Sequence, residues 1–156
     1  MIFVTVGSAL PFDRLLHWLA LPRDELLVVQ HGASSVRPGG ATCVAFMGFE
    51  EIVRQVQAAR VVVCHAGVGS ILVALQNGKR PIVVPRLRRF GEAPDDHQEE
   101  LASRLAAEGL VTLAADSARL HELLASDEGR TVGGKRAGAG LVGDLSRELR
   151  GLLNQG

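Results

Sequence analysis

At 156 residues, 47% of them hydrophobic, the chain is long and apolar enough to bury roughly two thirds of its unfolded surface around one core. Its 17 basic and 17 acidic residues cancel, which argues against a nucleic-acid-binding tail and against a global pull toward anionic membranes. Cys43 and Cys64 both lie in apolar runs and read as two buried thiols of a reducing compartment, not as a disulfide or metal pair.

The opening run Met1-Ile2-Phe3-Val4-Thr5-Val6-Gly7-Ser8 lacks a basic leader and a small-residue cleavage site, so no export signal is expected. No apolar run approaches the length needed to span a bilayer. Residues 2–6 read as a strand buried on both faces. Phe12, Leu15, Leu16 and Leu19 then recur at helical spacing, with Pro11 at the helix start. A second strand runs from Leu26 to Gln30, a polar loop from Ala33 to Gly40, and a third strand over 42–46. Phe49, Ile52, Val53 and Val56 mark a second helix, and Arg60 to Cys64 a fourth strand. Val68 to Gln76 predicts a helix stopped by Asn77-Gly78, and Ile82 to Val84 a fifth strand between two prolines. Beyond an irregular stretch from Arg86 to Asp95, a helix is expected from Asp96 to about Ala107. Leu110 to Leu113 gives a sixth strand, and Leu120, Leu123 and Leu124 a short helix. Residues 126–156 read as a glycine-rich, basic linker and a last helix with Leu141, Leu145, Leu149 and Leu152 on one face.

Apolar strands alternating with amphipathic helices specify an α/β domain over 1–156: an open, doubly wound, mainly parallel six-stranded sheet of the Rossmann-like kind. In such a sheet the ligand crevice lies beyond the carboxyl ends of the strands. Three loops there are chemically loaded, the first of them Gly7-Ser8-Ala9-Leu10-Pro11 after the first strand. His65-Ala66-Gly67-Val68-Gly69-Ser70 passes from a buried strand into a helix, where backbone N–H groups and the positive helix end suit a diphosphate. The alternative is a tight strand–helix turn without a ligand. The full dinucleotide fingerprint and its following acidic residue are not present in the expected form. The stretch Pro85 to Gln98 is long for a strand–helix connection and carries Arg86, Glu92, Asp96, His97, Gln98 and Glu99. Asp96 reads as a helix cap, Glu92 and His97 as capping or loop-ordering groups, and Gln98, both donor and acceptor, as a partner for sugar hydroxyls. His65, Asp96 and His97 lack recognisable metal-ligand spacing, so no metal site is expected.

The same loops carry a resemblance. Met1 to Ser8 followed by Pro11-Phe12-Asp13-Arg14-Leu15 resembles the start of the Alg13-like proteins and their bacterial relatives in exopolysaccharide and capsule synthesis. His65 to Leu72, Gly78 to Pro85, and Asp96-His97-Gln98-Glu99-Glu100-Leu101-Ala102 resemble the C-terminal domain of the MurG-like, family 28 glycosyltransferases, which have the GT-B architecture. The resemblance implies the donor-binding subunit of an inverting transferase that uses a UDP-sugar substrate and no tightly bound cofactor. It also implies a membrane-anchored, Alg14-like partner, a lipid-linked saccharide acceptor, and a place at the cytoplasmic face of the membrane held through that partner. By the same resemblance Gly67, Val68, Gly69 and Ser70 hold the diphosphate, Gln98 and Glu99 face the donor, Gly7 and Ser8 lie across the cleft, and His65 and Arg86 are further phosphate contacts. No catalytic base is assigned to this chain; the resemblance puts it on the partner. One position departs from the pattern: Val73 stands where these families place a ribose-binding glutamate, and valine cannot accept hydroxyl hydrogen bonds. The alternatives are a non-catalytic nucleotide-sugar-binding or regulatory protein, and a homo-oligomer that completes its cleft with a second copy.

Overall fold

A computed structural model describes residues 1–20, 24–126 and 147. Six parallel strands alternate with helices. The strands are β1 (Ile2–Thr5), β2 (Leu27–Gln30), β3 (Thr42–Val44), β4 (Val61–His65), β5 (Ile82–Val84) and β6 (Thr112–Leu113). The helices are α1 (Asp13–Trp18), α2 (Phe49–Ala58), α3 (Val68–Gln76), α4 (His97–Ala107) and α5 (Ser117–Ala125), with a single 3₁₀ turn at Arg88–Phe90. The predicted linker beyond Ser126 and the last helix fall outside the described residues, Arg147 apart.

The sheet order is β3-β2-β1-β4-β5-β6, so the winding reverses between β1 and β4. This is the expected doubly wound α/β sheet, and every pairing in it is parallel. The period-two alternation of strands divides the core. Ile2 and Val4 of β1 look toward α1 and α5, packing with Phe12, Leu15, Leu16, Leu19 and Leu120. Phe3, between them, packs on the other face with Met47, Val56 and Ala74, from the side of α2 and α3. Ile71 and Leu75 of α3 meet Ala102 and Leu105 of α4 over Cys64 and Val83.

The edges differ from the sequence expectation. β3 ends at Val44 rather than at residue 46, and its residues are partly or fully exposed, because an edge strand has a neighbour on one side only. β6 begins at Thr112; Leu110 and Val111 are buried, but they approach the sheet as a connection from α4. Cys43, on that exposed edge strand, is half-buried, whereas Cys64 at the sheet centre is fully buried and its thiol is pushed up to about 12 by burial.

At the amino ends of the strands, Glu25 accepts hydrogen bonds from Arg60 (2.6 and 2.8 Å) and from the Met1 ammonium (3.0 Å). Hydrogen bonding from Arg60 is the main cause that lowers its carboxyl to about 2, with burial acting against it. A carboxyl whose folded pKa is depressed stabilises the fold above its unfolded value and loses that contribution as pH falls through the folded value. Glu25→Gln is therefore expected to unfold more readily than the parent at pH 7, with the gap closing between about pH 4.5 and 2. Denaturant titrations across that range measure it, and a gap independent of pH would rule the linkage out.

Candidate functional site

The reversal of winding between β1 and β4 opens a crevice where the loops after those strands diverge. The loop after β4 is built around the His65 ring. A Cβ added to Gly67 would lie 2.2 Å from His65 Cε1, and one added to Gly7 would lie 2.9 Å from Nε2. The imidazole is thus wedged between the loops after β1 and β4, and both glycines are needed for it to fit. Gly7 is also held at φ 76, a conformation that costs glycine little and other residues more. Burial, then the positive charge of Arg86, pushes His65 down to about 4, while a hydrogen bond with Gln98 works the other way. At neutral pH the ring is uncharged, and its Nδ1 is buried with no partner among the described residues.

Gly69 differs from Gly67. A Cβ there meets nothing within 4 Å, and the residue is exposed. Val68 and Ser70 beside it are half-buried. Gly67 is the N-cap of α3 and supplies no side-chain hydrogen bond, and the first turn closes with Ile71 N donating to Gly67 O at 3.1 Å. The preceding amides of α3 are the ones a helix leaves without an internal acceptor. With the helix dipole behind them they form an uncharged donor set suited to an anion.

Arg86, expected from the sequence as a phosphate contact, is 4% exposed and turned inward. Its guanidinium donates to the carbonyls of Val6, Leu10 (2.8 Å) and Pro11 (2.7 Å), and its Cζ lies over the Phe12 ring, 4.9 Å from the ring centre. Its backbone N–H donates to Gln98 Oε1 at 3.0 Å, which fixes the side chain at the start of α4. Glu92 orders the long loop: it accepts from Leu87 N at 3.1 Å and pairs with Arg14 through Nε and Nη2. Arg14 also donates to Pro85 O at 2.9 Å and lies over Trp18 and Phe90. Asp96 occupies the N-cap position of α4 but does not cap it; its carboxylate accepts from Arg88 N at 3.1 Å, inside the loop. Asp95 instead accepts from His97 N at 3.1 Å. His97 is exposed, beside Asp95 and Glu100 at 3.7 and 3.6 Å. Glu99 and Ser8 are exposed on the same carboxyl edge. Among the described residues no group of three His, Cys, Asp or Glu side chains is arranged to hold a metal.

Two ordering residues escape a sequence reading. Arg14 sits on an otherwise unremarkable helix, and only its distant partners reveal it. Gln30 closes an apolar strand with a buried polar side chain, a detectable signal. It accepts from Thr5 Oγ1 at 2.6 Å and donates to the carbonyls of Gly7 (3.2 Å) and Ala45 (2.8 Å).

A parallel sheet with a bare helix start at its switch point belongs to the class of α/β domains that seat ligands at strand carboxyl ends. Residues 1–128 match the glycosyltransferase family 28 C-terminal domain, and the chain belongs to that family. It is 26% identical over 133 residues to the UDP-N-acetylglucosamine transferase subunit ALG13 of Yarrowia lipolytica, covering 75% of this chain and 66% of that protein. In fold it is similar to MurG of Acinetobacter baumannii, with a TM-score of 0.57 and 21% identity, covering 82% of this chain and 42% of that one. It is likewise similar to the glycotransferase of kitacinnamycin, with a TM-score of 0.53 and 19% identity, covering 97% of this chain and 40% of that one. The chain therefore spans less than half the length of both solved glycosyltransferases.

The wedge yields a test. Gly67→Ala is expected to destabilise the chain by about 2 kcal/mol through overpacking against the imidazole. In a His65→Ala background the same change is expected to cost under about 0.5 kcal/mol. A double-mutant cycle in denaturant reads both numbers, and an equal cost in the two backgrounds would exclude the clash.

Proposed function

We propose that this chain is the donor-binding subunit of an inverting glycosyltransferase, which moves a sugar from a UDP-sugar to a hydroxyl of a lipid-linked saccharide in exopolysaccharide, capsule or glycolipid synthesis. The observation that carries the proposal is the bare start of α3 at the switch point, left open by Gly69. Its family and a relative named as a UDP-N-acetylglucosamine transferase subunit support the donor class.

In the proposed reaction the acceptor oxygen bonds to the anomeric carbon from the face opposite the leaving group. The bond from that carbon to the diphosphate oxygen breaks, and UDP leaves with the electron pair. The backbone donors of Val68, Gly69 and Ser70, with the Ser70 hydroxyl, stabilise the charge gathering on the diphosphate. His65 is neutral at pH 7 and can donate one hydrogen bond to the anion. Gln98 and Glu99, at the first turn of α4, face the donor sugar, and Gly7 and Ser8 form the opposite wall. The acceptor proton goes to a base on a second subunit, which on this reading is membrane-anchored and Alg14-like and holds the chain at the cytoplasmic face. No helix among the described residues is long and apolar enough to cross a membrane.

Calorimetric titration of the full chain with UDP, UDP-glucose, UDP-glucuronate and UDP-N-acetylglucosamine tests the donor site; a folded chain that binds none of them defeats the proposal. Sugar transfer by the chain alone would defeat the two-subunit part. Gly69→Ala is expected to leave stability within about 0.5 kcal/mol, because its Cβ meets nothing in the fold. The same substitution is expected to weaken UDP binding by about tenfold or more, since the methyl group points into the space the phosphates need. Val73 packs at the rim of the cluster that holds Phe3 and Val56. Val73→Glu is expected to tighten UDP binding if the ribose lies against α3, as it does in the resembling families.

A further inference from the structure

Arg86 reaches the crevice from the loop after β5, yet its side chain belongs to the loop after β1. Three carbonyls, those of Val6, Leu10 and Pro11, receive its N–H groups, and its Cζ lies over the Phe12 ring. Between the first and last of those carbonyls lie Gly7, which packs against the His65 ring, and the exposed Ser8. From the same residue the backbone amide holds Gln98 Oε1, and the charge acts on His65. One residue thus touches or biases each of the three loops that meet at the switch point. The loop after β1 is bound back in return, since Arg14 of α1 takes Glu92 and Pro85 O. Arg14, Arg86 and Glu92 sum to one positive charge. Among the described residues the ion pair of Glu92 is with Arg14; its charge also acts on Arg86, whose direct contacts are carbonyl oxygens and the Phe12 ring. A positive charge is left beneath a crevice suited to an anion.

We propose that Arg86 is a positioning residue of the donor site: it clamps the loop after β1 so that Gly7 and Ser8 stand opposite the glycine loop, and it does not itself contact the diphosphate. The inference rests on the donor-site reading and deepens it. For the guanidinium to reach a phosphate through the donors it now uses, it must give up the buried carbonyl of Val6 together with those of Leu10 and Pro11. Lysine cannot replace it, because a compact ammonium lacks the planar fork that serves several acceptors while stacking on a ring. The groups facing His65 are Arg86 from the loop after β5, Gln98 from α4, Gly7 from the loop after β1 and Gly67 from its own loop. Removing the arginine is therefore legible at the imidazole as well as at the loop.

The experiment compares the full-length parent, Arg86→Lys and Arg86→Met by three measurements: amide hydrogen exchange, NMR titration of the His65 ring, and calorimetry with UDP. In both variants the amides of 6–12, Pro11 apart, are expected to exchange faster while those of α5 keep parental rates, and UDP is expected to bind about tenfold more weakly. The His65 titration, near 4 in the parent, is expected to move up in Arg86→Met and to stay low in Arg86→Lys, which keeps the charge. If Arg86→Met does not fold, Arg86→Lys decides, through the exchange of 6–12 and the UDP affinity. A parent that binds UDP, with variants that match it in both measurements, overturns the clamp alone. A parent that binds no UDP overturns the donor-site reading; the exchange and His65 results then still judge whether the clamp exists.

Discussion

A guanidinium at 4% exposure has to find acceptors inside the protein, and Arg86 finds them in the backbone of a single loop. That demand dictates the path of residues 6 to 12, because three carbonyls must turn toward one point. The guanidinium carbon also lies over the Phe12 ring, so the residue at the N-cap position of α1 is at once core packing and cation partner. The reciprocal bonds from Arg14 to Glu92 and Pro85 make the arrangement closed: the loop after β1 is held by the loop after β5, and the reverse. Long connections are ordinarily the mobile parts of such sheets. Here their conformation is tied to a partly buried ion pair, Arg14 with Glu92, and to the carbonyl contacts of Arg86.

The His65 wedge is the second constraint, and it depends on the first. Gly7 lies in the stretch that Arg86 fixes, and its missing Cβ gives the imidazole one wall; Gly67 gives the other. Desolvation and the nearby guanidinium keep the ring neutral. The floor of the crevice therefore holds a buried cation, an uncharged ring and a set of helix-start amides. That combination favours anions without placing a mobile charge in the cleft. The two glycines of the β4 loop have separate roles, since Gly67 admits the ring and Gly69 leaves space outside the fold. A Gly-x-Gly spacing looks like one device and is two.

Much of this fold is legible in sequence because its strands are buried on both faces. Val61-Val62-Val63 and Ile82-Val83-Val84 have no polar alternation and fit only the inside of a parallel sheet. The stop at Asn77-Gly78 and the start at Val68 follow from local chemistry, and both stand where the pattern puts them. The edges read less well. β3 and β6 have neighbours on one side, so apolar residues at their ends, such as Leu110 and Val111, belong to connections rather than to the ladder. The site divides in the same way. The glycine loop is local and visible as a motif. The placement of Arg86 depends on carbonyls more than seventy positions away, and no spacing rule carries such contacts. Asp96 shows the subtler failure: a residue at the right position for a cap is drawn off by Arg88 N, and Asp95 takes up the His97 amide. Propensity identifies both aspartates as helix-start residues without choosing between their donor partners.

The proposed division of labour between two subunits follows from what the crevice is made of. On the proposed reading the seat is made of backbone amides, with the carbonyl-bound Arg86 beneath it, and both belong to this chain. A catalytic base is different, since it must stand within hydrogen-bond reach of an acceptor hydroxyl that arrives from outside. The carboxylates near this crevice are poor choices for that role. Glu92 is committed to Arg14 and to Leu87 N, and Asp96 to Arg88 N. Glu99 is exposed on the side where the donor sugar is proposed to lie. If the base comes with the subunit that brings the acceptor, the activated hydroxyl and the charged donor meet only when both halves are present. On the proposed reading, transfer then waits for the subunit that brings both the acceptor and the base.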